Sequence, residues 1–132
     1  MRNDEWRDKY LIGITEIDDD HQHLFDVIAM KISELILNKD KVQTYFSTKN
    51  IDDLLTKIKQ HYKNEKLWMK EHQYPHIEKH QEEHSNSVQE IEKVAALIEN
   101  RDFLKWISFY LMVLENLDGH VLEYDKKIGE YY

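Results

Sequence analysis

The 132-residue chain contains no cysteine, one proline and three glycines. Without cysteine it forms no disulfide, no thiolate zinc site and no cysteine nucleophile, so any bound metal must use histidine and carboxylate ligands. The scarcity of proline and glycine leaves few turn signals, while abundant leucine, isoleucine, lysine and glutamate favour long helices over many short strands. The sequence therefore predicts an all-α fold with a single domain over residues 1–132.

A basic surface and a long apolar run are also missing. The formal net charge is −8, with no stripe of lysine and arginine, which argues against nucleic-acid binding. The most apolar run, Trp106 to Leu114, is far shorter than a membrane span, and the N-terminus lacks the apolar region of a signal peptide. We therefore expect a cytoplasmic protein with neither nucleic-acid nor membrane partners.

Apolar residues recur in steps of three and four along four segments, which is the spacing of one helix face. An N-terminal arm of about residues 1–17 precedes the first segment. Asp18 is the predicted N-cap of the first helix, with Asp19 and Asp20 in its first turn. The second helix is predicted to start within residues 42–50.

Tyr74-Pro75 separates the second helix from the third, because proline disfavours helix in the preceding residue but fits the first turn of the next helix. A turn at Asn100 to Asp102 precedes the fourth helix. Four amphipathic helices joined by short loops predict an up-down-up-down four-helix bundle behind the N-terminal arm. Among the larger residues, the predicted inward faces include Ile32, Ile36, Trp68, Ile107 and Leu114.

Histidine and carboxylate side chains interrupt all four apolar faces, where such groups rarely lie without a partner or a ligand. On the second and third helices two of them stand four positions apart, which puts them on one face. The first helix contributes one, and the fourth contributes two that stand five positions apart. The candidate metal ligands are therefore His21, His61, Glu65, His80, His84, His120 and Asp125.

Five imidazoles and two carboxylates are too many for one tetrahedral zinc ion and suit two transition ions that share bridging carboxylates. Nitrogen-rich ligation favours iron over magnesium and calcium. A ferritin-like oxidase site would need Glu-x-x-His motifs, and the sequence contains none. The alternative is a buried network of histidines and carboxylates without metal, which carries a large desolvation cost.

The other three histidines, His23, His72 and His76, are predicted to lie on the surface. Two residues along a helix correspond to a rotation of roughly 200°, so His21 and His23 must face opposite ways. His21 continues an apolar face and is the predicted ligand of the pair.

In their order along the chain, these motifs resemble those of the hemerythrin family in its single-domain bacterial form. The resemblance covers almost the whole chain. It is carried by Trp6, Tyr10–Ile14, Ile17–Phe25, His61–Met69, Tyr74-Pro75, His80–His84 and His120–Asp125.

The resemblance implies two oxo- or hydroxo-bridged iron ions with a divided set of ligands: His80, His84 and His120 on one ion, His21 and His61 on the other, and Glu65 and Asp125 as bridges. The ion with two histidines is then one ligand short, and in the family that open position takes O2. The implied function is reversible O2 binding for storage or delivery by a monomeric protein that is not an enzyme. Its expected partners are O2 and oxygen-requiring enzymes.

Two positions depart from the family pattern. Asp20 stands just before the first ligand histidine, where the family usually has glutamine. Asn116 stands four residues before the last ligand histidine, where the family usually has tryptophan. The resemblance implies an oxygen pocket with Leu117 as an apolar wall, to which Asn116 would admit water and so speed autoxidation. The open alternatives are an oxygen or redox sensor, and a di-iron enzyme of peroxidase, nitric-oxide reductase or iron oxidase type.

Overall fold

The computed structural model describes residues 10–42, 46–98 and 102–132. Four long helices form within these ranges: α1 is Thr15–Leu37, α2 is Thr48–Glu71, α3 is Ile77–Ala95 and α4 is Phe103–His120. A short 3-10 turn, Lys39–Lys41, follows α1. A π-helical turn, Val121–Asp125, and the short helix α5, Lys126–Tyr131, continue α4. Trp6 and Asn100, on which two of the sequence interpretations rest, lie outside the described residues.

Each long helix packs against its neighbour in chain order, and α4 closes the ring against α1. Short connections make successive helices antiparallel, so the topology is up-down-up-down. The prediction of an all-α four-helix bundle is confirmed. Within the described ranges, no helix has both the length and the apolar character needed to cross a bilayer.

Local sequence sets the helix ends close to where they were predicted. α2 begins after Ser47, whose backbone N–H donates to Asn50 Oδ1 at 2.8 Å. α4 begins after Asp102, whose Oδ1 accepts from a first-turn N–H at 3.2 Å. α2 ends before Gln73, whose φ of +54° is left-handed and incompatible with continued helix. Pro75 stands just before α3 and not in its first turn.

The start of α1 differs from the prediction. The helix begins at Thr15, so Asp18 lies inside it and is not its N-cap, and the next two aspartates lie beyond the first turn. Asp18 instead accepts hydrogen bonds from the backbone N–H groups of Ile12 at 2.9 Å and Gly13 at 3.1 Å. The φ of Gly13 is +91°, which glycine adopts without strain and which turns the arm back toward this carboxylate. Asp18 therefore ties the arm to α1.

The buried face of α4 also differs from the predicted one. Trp106, Phe109 and Val113 are fully buried, whereas Ile107 and Leu114 are only partly buried. The segment is apolar on nearly every side, so its periodicity does not select one face. The largest rings occupy the interior because they bury the most apolar surface there.

Two further residues predicted to face inward lie outside the core. Ile36 is 59% exposed, and the inner face of α1 ends instead with the fully buried Leu35. Trp68 is half-buried and stacks on His72, while Met69 beside it is fully buried. Both differences are shifts of one position along a helix, which move a side chain by about 100° around the axis.

Two apolar clusters fill the bundle on either side of a polar layer. On α1, Ile17 belongs to one cluster and Leu24 to the other, and His21 stands between them. The other three helices follow the same order of apolar, polar and apolar residues. The smaller cluster, which we call the arm-side cluster, consists of Ile12, Ile14, Ile17, Met69, Tyr74 and Ile128.

Gly129 allows the arm to pack against α5, and its substitution tests that contact. A Cβ at position 129 would lie 2.0 Å from the backbone oxygen of Ile12, so Gly129→Ala must displace the arm. We expect the free energy of unfolding to fall by about 1–3 kcal/mol. Gly119→Ala is the matched control, because nothing lies within 4 Å of a Cβ there. Equal melting temperatures for the two variants would contradict the contact.

Candidate metal centre

The polar layer brings all of the predicted ligands together. None of these residues is more than 5% exposed. Their ligand atoms form two groups, and within each group the atoms lie within 4.8 Å of one another. Both groups contain Glu65 and Asp125; the first adds His80, His84 and His120, and the second adds His21 and His61.

One oxygen of each carboxylate faces the three-histidine group. Glu65 Oε1 is 2.9 Å from His84 Nε2 and 3.4 Å from His80 Nε2. Asp125 Oδ1 is 2.8 Å from His80 Nε2 and 3.0 Å from His120 Nε2. Three imidazole nitrogens and two carboxylate oxygens therefore converge on one point.

The other oxygen of each carboxylate faces the two-histidine group. Glu65 Oε2 is 2.9 Å from His21 Nε2 and 2.8 Å from His61 Nε2. Asp125 Oδ2 is 2.7 Å from His21 Nε2. Each carboxylate thus presents one oxygen to each group, which is the geometry required of a carboxylate that bridges two metal ions.

A π-helical turn lets His120 and Asp125 reach the same layer. In an α-helix, residues five apart point about 140° away from each other. The turn Val121–Asp125 is wider and joins residues five apart instead of four, so Asp125 comes round to the face of His120. The sequence analysis assigned both residues to the site without predicting this turn.

Several buried atoms of the layer have no hydrogen-bond partner in the described part of the chain. They include His120 Nε2 and both carboxylate oxygens of Asp125, whose contacts of 2.7–3.0 Å with each other and with His21 and His80 lack hydrogen-bond geometry. Such atoms are costly to bury unless something satisfies them. Ions held between the carboxylates and the histidines would do so, and imidazole nitrogens with carboxylate oxygens suit transition metals better than magnesium or calcium. The residues present therefore fit transition-metal ions.

Without bound metal, the buried charges shift one another's pKa. Burial by itself would lower the pKa of His120, but the charge of Asp125 raises it to about 10. Burial is likewise outweighed at His61, where the charge of Glu65 raises the pKa to about 10. Burial lowers the pKa of His84. At neutral pH a metal ion must therefore displace protons from His61 and His120 when it binds.

Asp20 is a residue of the site that the sequence analysis missed. Its Oδ2 lies 3.5 Å from His61 Nδ1 and accepts a hydrogen bond from Asn64 Nδ2 at 3.0 Å. The contact is to the imidazole nitrogen that points away from the carboxylates, so Asp20 orients the ring of His61. The available signal was its place directly before His21, which we had interpreted only as favourable charge at a helix start.

A ring-stacking contact followed by two hydrogen bonds joins His84 to Asn116. The ring of Tyr62 stacks on His84, with centroids 4.0 Å apart and 11° between the planes. The Tyr62 hydroxyl lies 2.9 Å from Ser87 Oγ, and Ser87 donates to Asn116 Oδ1. Leu117, the next residue, is buried. The half-buried Asn116 is thus linked through two side chains to a predicted ligand, a role the sequence analysis did not foresee.

The remaining histidines are not part of the layer. His23, His72 and His76 are all exposed, as predicted. His72 stacks on Trp68, with ring centroids 3.8 Å apart.

A four-helix bundle in which two buried carboxylates are shared by two groups of histidines defines the class of hemerythrin-like metal proteins. A bacteriohemerythrin of Campylobacter jejuni is 32% identical over 117 residues, which make up 86% of this chain and 84% of the relative. A bacteriohemerythrin of Clostridium acetobutylicum is 28% identical over 127 residues, which make up 92% of this chain and 95% of the relative. The chain belongs to the bacteriohemerythrin family.

The other two comparisons give no match: neither a family model nor a solved structure matches the chain. Family membership implies iron as the metal, and the buried cluster of histidines and carboxylates could hold it.

The assignment of His61 as a ligand predicts a specific loss of iron. We expect His61→Ala to weaken iron binding by at least about tenfold, since losing even an outer partner of a metal ligand costs that much. Iron analysis after dialysis against a chelator measures the effect. His72→Ala is the control, because His72 is an exposed histidine directly after the end of the same helix. Equal iron contents in the two variants would contradict the assignment.

Proposed function

We propose that the chain binds O2 reversibly at a pair of iron ions, for oxygen storage or delivery. The observation that carries this proposal is the unequal number of histidines on the two sides of the polar layer. Glu65 and Asp125 are shared, but one side has three histidines and the other has two. An ion on the two-histidine side would lack one protein ligand, which leaves a position for O2.

The two iron ions would supply the reversible two-electron chemistry on which this kind of O2 binding depends. The chain's own part is to hold, space and shield the ions. Glu65 and Asp125 would bridge the two ions, and the five histidines would complete the protein's share of their ligands. The apolar clusters on both sides exclude water from the layer, for example through the fully buried Ile28 and Met69. Exclusion of water limits the access of protons and so slows irreversible oxidation.

The residues around the polar layer favour reversible O2 binding over enzymatic catalysis. An enzyme needs a proton donor that is free to act on its substrate. Two polar side chains next to the proposed ligands are already engaged: Tyr62 is hydrogen-bonded to Ser87, and Asp20 accepts from Asn64. We therefore propose that the chain is an oxygen carrier. Experiment must distinguish this function from that of an oxygen or redox sensor and from that of a di-iron enzyme.

Oxygen cycling tests the carrier directly. We expect two irons per chain and a charge-transfer band that appears on aeration of the reduced protein and disappears on deoxygenation. His21→Ala should lose the band, whereas His23→Ala should keep it, because His23 is exposed two residues away. Conversion to a permanently oxidised form on first contact with air would contradict carriage. Sustained product formation with excess reductant would identify an enzyme instead.

Asn116 is expected to control how fast the oxygenated protein autoxidises. We predict that Asn116→Trp slows autoxidation, because an apolar ring replaces an amide that admits water. Ser87→Ala is the control, since it removes the hydrogen bond to Asn116 without adding apolar bulk. Stopped-flow spectroscopy in air-saturated buffer measures both rates. Equal rates for Asn116→Trp and the unmodified chain would refute the role of this side chain.

A further inference from the structure

A surface cleft of about 420 Å³ opens beside the polar layer. The cleft volume falls in the range of small-molecule sites. Its wall includes His80, which is also one of the proposed iron ligands. The other residues that line this cleft, which we call the tyrosine–lysine cleft, are Tyr74, His76, Lys79, Tyr124, Lys127, Glu130 and Tyr131.

The charge of the tyrosine–lysine cleft is opposite to that of the whole chain. The chain carries a net charge of −8, yet the cleft has two lysines and a single carboxylate, Glu130. Neither Lys79 nor Lys127 forms an ion pair with a carboxylate of the described residues. Both ammonium groups are therefore available to an anion, and the first turn of α3, which contributes Lys79, adds the positive end of its helix dipole.

Aromatic rings form the rest of the wall. Tyr74 is almost fully buried, and its ring meets that of Tyr131 with centroids 5.8 Å apart and planes at 84°. Tyr131 is 58% exposed, and its ring also meets that of Tyr132, with centroids 4.8 Å apart. Lys127 Nζ lies 5.6 Å from the ring centroid of Tyr124. Phenol rings between two ammonium groups suit a ligand that has both a planar ring and an anionic group.

His80 connects this cleft to the polar layer. Its Nε2 lies 2.8 Å from Asp125 Oδ1, inside the layer, while the residue also forms part of the cleft wall. A ligand in the cleft would thus touch a proposed iron ligand directly. Tyr124 extends the same contact, because its ring lies near the rings of His80 and His120, with centroids 6.4 and 5.7 Å away.

We propose that the tyrosine–lysine cleft binds a small anionic electron donor with a planar aromatic ring, of the class of reduced flavin mononucleotide, which restores the oxidised iron pair. The inference rests on the proposed function, since a carrier that autoxidises needs a reductant. The dihydroflavin loses two electrons and two protons and becomes the oxidised flavin. The two electrons would reduce two ferric ions to the ferrous state, and the two protons would pass to solvent.

Flavin fluorescence tests the binding step with or without iron. Oxidised flavin mononucleotide is titrated with the iron-loaded and the iron-free protein, and we expect saturable quenching in both. Lys79→Glu with Lys127→Glu should weaken binding about tenfold or more, because each charge-assisted contact is worth roughly a factor of ten. Lys57→Glu with Lys63→Glu is the matched control, with the same change of charge at exposed lysines outside the cleft. Riboflavin, which lacks the phosphate, should bind more weakly than the mononucleotide.

The outcomes separate the cleft from the oxygen chemistry. Absence of saturable quenching, or equal affinities in the two double variants, would overturn the cleft proposal even if the protein binds O2 reversibly. Quenching by a protein that fails to oxygenate reversibly would overturn the carrier and leave the binding site in place. Where the protein both binds O2 reversibly and shows saturable quenching, the electron-donor role can be tested. Anaerobic reduction of the oxidised iron protein by reduced flavin mononucleotide should be slower in the Lys79→Glu, Lys127→Glu variant than in its control. Equal reduction rates would overturn the electron-donor role.

Discussion

The burial of two carboxylates is the constraint on which the rest of the structure depends. Glu65 and Asp125 are fully buried near the middle of the bundle, where an unpaired charge is strongly destabilising. Each carboxylate has two oxygens, so positive or hydrogen-bonding groups must approach from both sides. The four long helices supply these groups together, because each places at least one histidine or carboxylate at the same level along the bundle axis. The up-down-up-down arrangement is what makes that common height attainable.

Much of the site was predictable because most of it depends on local helix geometry. The pairs His61 and Glu65, and His80 and His84, need only the rule that residues four apart share a face. The apolar residues around them then indicate which face is buried. The all-α bundle follows from the same periodicity and from the scarcity of glycine and proline.

The features that escaped prediction depend on contacts between helices or on departures from the regular helix. Asp20 looked like charge at a helix start, and only the packing of α1 against α2 brings it to His61. The buried face of α4 was ambiguous from sequence because that segment is apolar on nearly every side. In the structure, the large rings of Trp106 and Phe109 occupy the buried face. The assignment of Asp18 as an N-cap was wrong because the arm supplies the backbone donors that this carboxylate binds.

The π turn limits where residues can be inserted into or deleted from the chain. The five residues Val121–Asp125 wind more loosely than the α4 that precedes them, so this stretch holds a surplus residue relative to an uninterrupted α-helix. Loss of one residue there would let the regular helix continue and would shorten the spacing between His120 and Asp125 from five positions to four. The described residues of the connection between α1 and α2, 38–42 and 46–47, contribute none of the proposed ligands. Insertions and deletions in this family should therefore avoid the turn between His120 and Asp125.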